Sequence, residues 1–134
     1  MKNIDLKFLL TAVLCLCAGV SLGLFMGIKH DFMLAPVHAH LNLLGWVSLA
    51  LFGIVYRLYP ALAERRLAAV HFYLAVPSAL MFPVGIALSI LAGRPLVAIV
   101  AGFMWLAGIL VFLVQLVRLA LGRSRPAPDL VPAE

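Results

Sequence analysis

A chain of 134 residues that is 66% hydrophobic and 11% charged, with a mean hydropathy of +1.17, falls outside the water-soluble class. Its charges are so unevenly spread that the stretches Lys7 to Lys29, Asp31 to Arg57, Arg66 to Arg94 and Arg94 to Arg118 have none inside them. Each is longer than the about 20 residues of helix that cross a hydrocarbon core, so an all-α four-helix transmembrane bundle accounts for residues 1–122.

Lys2, Lys7, Arg57, Arg65, Arg66, Arg118, Arg123 and Arg125 would lie on one side of that bundle, and only Lys29 and Arg94 on the other. The positive-inside rule then puts both termini in the cytoplasm, with the chain multi-pass in a bacterial inner (cytoplasmic) membrane. The net charge of +5 reads as this topology signal, aided by anionic lipid, and nucleic acid is not an expected partner.

In chain order, the first helix is predicted over residues 6–28. It is too long an apolar run for an ordinary signal-peptide core and is read as retained. Gly19, Gly23 and Gly27 at four-residue spacing put bare patches along one face, suited to close helix contact. Cys15 and Cys17 point to different sides, cannot pair with each other, and read as small apolar residues. The second helix, over 36–59, opens with Pro36 at a favoured first-turn position and ends among Tyr56, Arg57 and Tyr59 before Pro60. The third, over 67–91, contains Pro77 and Pro83, expected to bend it. Gly93-Arg94-Pro95 turns into the fourth, over 95–121, whose Gln115 suits an interhelical hydrogen bond or an interface contact. Residues 123–134, proline-rich and without apolar periodicity, are expected to be disordered.

The strong ligands are His30, His38, His40 and His71. Three cluster at the outer side, with Asp31 and Met33 in the connection, and polar groups at membrane depth are costly enough to suggest function. Two residues apart on a helix, His38 and His40 differ by about 200° in direction, so they would serve different places rather than chelate one ion. On helical spacing His38 shares a face with Asn42, Trp46 and Gly53, and His40 with Leu44, Val47 and Leu51. A haem needs an axial imidazole beside an apolar slot, which favours His40. His71 is expected at the opposite membrane interface, and Trp46 and Trp105 are expected to pack or belt rather than relay electrons.

The stretch Ala35-Pro-Val-His-Ala-His-Leu-Asn-Leu-Leu-Gly-Trp46, continuing through Leu51-Phe-Gly-Ile-Val-Tyr-Arg-Leu-Tyr-Pro60, resembles the ligand helix of the haem-copper oxidase catalytic subunit. It is most similar to the nitric oxide reductase and cbb3-type branches, where such a helix opens with His-Thr-Asn. His40-Leu41-Asn42 matches with Leu for Thr, which implies that His40 is the axial ligand of a b-type haem. The pair His38 and His40 also resembles the family's His-x-His element, whose histidines serve two haems from opposite faces. The resemblance covers about 25 residues. Those subunits have about a dozen helices in three four-helix arcs and spread six or more metal-binding histidines over several of them. One four-helix chain is therefore not a complete oxidase or reductase, though a homotrimer would rebuild the arcs.

Three readings stay open. One is a haem protein of electron transfer, haem handling or gas binding, with respiratory redox partners; its sixth ligand would be His30, another chain's histidine or an exchangeable small molecule. Another is a copper protein in which His38, with His30, Asp31 and Met33, binds the ion near the outer surface, a three-histidine site being completed across an oligomer from among His30, His38 and His40. The last is a cofactor-free assembly protein that packs through its glycine-rich first helix.

Overall fold

A computed structural model describes residues 3–63 and 65–123, and these are all-helical. Four helices are long and apolar enough to cross a membrane: α1 (Ile4–Lys29), α2 (Ala35–Leu58), α3 (Arg66–Ala92) and α4 (Leu96–Arg123). A short helical turn, Pro60–Ala63, joins α2 to α3. The expected tail at 123–134 lies, apart from Arg123, outside the described residues.

Helix ends follow local chemistry. Gly93 takes the left-handed conformation (φ 64°) that closes α3, as glycine does without a Cβ penalty. His30 fills the same role after α1 with φ 52°, its N–H and that of Asp31 returning to Gly27 and Met26. The connection that follows is fixed by Asp31, whose Oδ1 accepts the Met33 N–H at 3.0 Å.

Small residues let the helices approach, as apolar helices need where lipid is as apolar as leucine. A Cβ on Gly45 would meet the Cys15 side chain at 2.6 Å, and one on Gly53 the Asp5 carbonyl at 2.9 Å, so α1 and α2 cross nearly in backbone contact. Between α3 and α4, a Cβ on Gly85 would come 2.3 Å from the Ala98 nitrogen. Cys15 is buried and Cys17 exposed, both unpaired, in line with opposite facing. Trp46 and Trp105 pack against the shared core of Ile4, Phe8, Leu49, Tyr56, Leu62 and Ala79.

Helix α2 departs from the regular expectation. It is α-helical over Ala35–His40, π-helical over Leu41–Ser48 and α-helical again over Leu49–Leu58. The Ser48 hydroxyl donates to the Leu43 carbonyl five residues back at 2.7 Å, following the wider turn. Spacings counted at 3.6 residues per turn therefore drift across this segment, although His38, Asn42 and Gly53 all still meet α1. Val47 and Leu51, counted on the face of His40 at that spacing, are exposed.

Candidate functional site

The first turn of α2 holds two histidines that face different neighbours. The His38 ring lies against α1, with Nδ1 2.8 Å from the Gly19 carbonyl. A carbonyl only accepts, so Nδ1 carries the proton and Nε2 keeps its lone pair. Asn42 stacks one turn below and donates from Nδ2 to the His38 carbonyl at 2.8 Å. Its nitrogen also comes 3.4 Å from His38 Nδ1, a contact between two donors rather than a bond.

Two of the three glycines of α1 make this seat. A Cβ on Gly19 would strike the Asn42 amide at 2.6 Å, and one on Gly23 would strike His38 Cε1 at 2.7 Å. Gly27 meets nothing within 4 Å. The bare face of α1 thus admits polar side chains of α2 within the chain. Replacing Gly23 by leucine is expected to displace the His38 ring and destabilise the protein by about 2 kcal/mol. The same change at Gly27 should fall within about 0.5 kcal/mol, with thermal unfolding in detergent as the check.

His40 turns to α3. Its Nδ1 lies 2.7 Å from the Pro36 carbonyl one turn back, which again leaves Nε2 uncommitted. The ring meets Phe82 edge to face at 4.9 Å. Phe82 also lines an apolar groove of about 380 Å³ between α3 and α4, with Ala98, Ile99, Gly102, Phe103 and Leu106. An imidazole fixed by an Nδ1–H to carbonyl bond, with Nε2 free, is the orientation that metal and haem ligands require. Helix α3 thus supplies an apolar neighbour for His40.

His30 is exposed at the end of α1. Among the described residues, no three His, Cys, Asp or Glu side chains converge on a common point. His30, Asp31, His38 and His40 of one chain are therefore not gathered into a ready-made metal cluster.

The expectation for His71 is overturned. It is not an exposed interface side chain but wholly buried, where all four helices meet. Its Nδ1 lies 3.0 Å from the Tyr56 hydroxyl, which receives an N–H from Gln115 Nε2 at 2.9 Å. Since Tyr56 accepts from Gln115, its own proton goes to His71 Nδ1, and the His71 proton sits on Nε2. Phe8 at 5.3 Å, Phe52 at 4.6 Å and Phe112 at 4.9 Å surround the imidazole. His71 Nε2 and Gln115 Oε1 have no hydrogen-bond partner. The alternative of an interhelical hydrogen bond holds for Gln115. Hydropathy alone hid this triad, because Tyr56 and His71 lie near helix ends, where such residues ordinarily meet the membrane interface.

No family model matches the chain, and no curated protein or solved structure matches it either.

Proposed function

We propose that this chain is a membrane haem protein in which His40 Nε2 is an axial ligand of a b-type haem, as the resemblance of residues 35–60 to the haem-copper oxidase ligand helix implies. The observation that carries this reading is the His40 ring. Its Nδ1–H is held by the Pro36 carbonyl at 2.7 Å, and it packs on Phe82, which opens onto the α3–α4 groove. Haem, when bound, supplies one-electron chemistry and a coordination position for a small gas. The chain's own contribution is to fix the imidazole tautomer and orientation and to offer an apolar flank. Pro36 acts through its carbonyl and Phe82 through the ring edge it presents to His40.

A second reading draws on His38. Its Nδ1–H is equally held, by Gly19, so Nε2 is ready for a metal such as copper. In one chain the ligands do not converge, so the rest would come from neighbouring copies. The three-arc analogy supports a homotrimer. The Gly19 and Gly23 face does not, because α2 occupies it.

The protein purified from haem-replete cells is expected to show a reducible Soret band with one haem per chain, in a particle of three chains once detergent is subtracted. Copper without a Soret band, lost with His38→Ala, would favour the second reading.

The orientation follows from the Lys and Arg distribution, with both termini on the cytoplasmic side of a bacterial inner membrane. An impermeant thiol reagent added outside should label a cysteine placed at Asp31 or Gly93 and miss one at Glu64. The reverse pattern would invert the topology.

A further inference from the structure

A second groove, of about 240 Å³, runs between α3 and α4 near the start of one and the end of the other. Leu67, Leu110, Val111 and Val114 make it apolar, and Arg118 lines one end. Arg118 is exposed, as are Arg65 and Arg66 beside Leu67. The only ion pair among the described residues, Arg57 with Asp5 at 3.7 Å, involves none of the three. An apolar channel ending in the Arg118 guanidinium is complementary to one kind of molecule abundant around such helices. That molecule is an amphiphile with a hydrocarbon chain and an anionic head.

We propose that the groove between α3 and α4 binds one anionic phospholipid, with an acyl chain along Leu67, Leu110, Val111 and Val114 and the phosphodiester on Arg118. A guanidinium donates to phosphate oxygens through a planar fork, which makes arginine the apt residue at the mouth. The walls are held by the buried triad. Gln115, from the same turn of α4 as Arg118, is tied to Tyr56 of α2, and His71 lies one turn along α3 from Leu67. The site is independent of the histidines at the start of α2 and of any haem.

The test is native mass spectrometry of the full chain in detergent, with phosphatidylglycerol or phosphatidylcholine of the same acyl chains added. A single phosphatidylglycerol adduct that outlasts the phosphatidylcholine adduct is expected. Arg118→Gln should weaken its retention by about fivefold, the contribution of one cation at a membrane surface. Val114→Trp, which fills the channel and leaves every charge in place, should abolish it, while Arg94→Gln at the other end of the bundle should change nothing. Equal retention of the two lipids would overturn the proposal. So would phosphatidylglycerol binding that persists in Val114→Trp, which would mark general attraction to surface charge. A second copy of the chain filling the groove would appear as a dimer that Val114→Trp disrupts, and would overturn it as well.

Discussion

Gly85→Ala is expected to destabilise the protein by about 3 kcal/mol, although alanine is the better helix former. The new methyl would stand 2.3 Å from the Ala98 nitrogen, 2.7 Å from its Cα and 2.8 Å from the Val97 carbonyl carbon. All three are backbone atoms of α4, so no side-chain rotation relieves the clash and the helices must separate. Separation would cost the close packing that holds apolar helices together where lipid supplies no hydrophobic drive. Gly108→Ala, whose methyl would meet the Ala75 nitrogen at an ordinary 3.4 Å, should fall within about 0.5 kcal/mol. Thermal unfolding of both variants in one detergent makes the comparison, and equal effects would contradict the crossing geometry.

Removal of the Tyr56 hydroxyl is the second large effect. In Tyr56→Phe, His71 Nδ1 and the Gln115 amide both lose their partner inside a fully buried cluster. Orphaned buried polar groups cost about 1–3 kcal/mol each, tempered in membranes by partners found in the unfolded state, so about 2 kcal/mol in total is expected. Gln115→Leu should be much milder, within about 1 kcal/mol. It deletes the unpartnered Oε1 together with the amide, and Tyr56 still donates to His71. The order of the two variants in denaturant or thermal unfolding is the readout. A larger loss for Gln115→Leu would refute the hydrogen-bond direction assigned to the triad.

The four helices were legible because uncharged stretches of spanning length are an unambiguous signal, and the same holds for the opposite facing of Cys15 and Cys17. The different neighbours of His38 and His40 were also legible, since the first turn of α2 is regular α-helix. Below that turn the pattern was legible in part, since Asn42 and Gly53 meet α1 as His38 does. The π-helical segment Leu41–Ser48 widens the turn without a residue pattern that announces it, so 3.6-residue spacing does not fix the faces of Trp46, Val47 and Leu51. His71 was misread for a different reason. A histidine near a helix end resembles an interface residue until the partners brought by other helices, Tyr56 and Gln115, are known. The glycine stripe was recognised as a contact face, but spacing could not show that it seats the His38 ring and the Asn42 amide.

The absorption spectrum of the purified protein beside its His40→Ala and His71→Phe variants tests the central claim most directly. The haem reading expects a Soret band in the wild type, its loss in His40→Ala, and its retention in His71→Phe, which keeps an aromatic ring within the Phe8, Phe52 and Phe112 cage. A haem-replete preparation with no Soret band, or a band that survives the loss of His40, would contradict it.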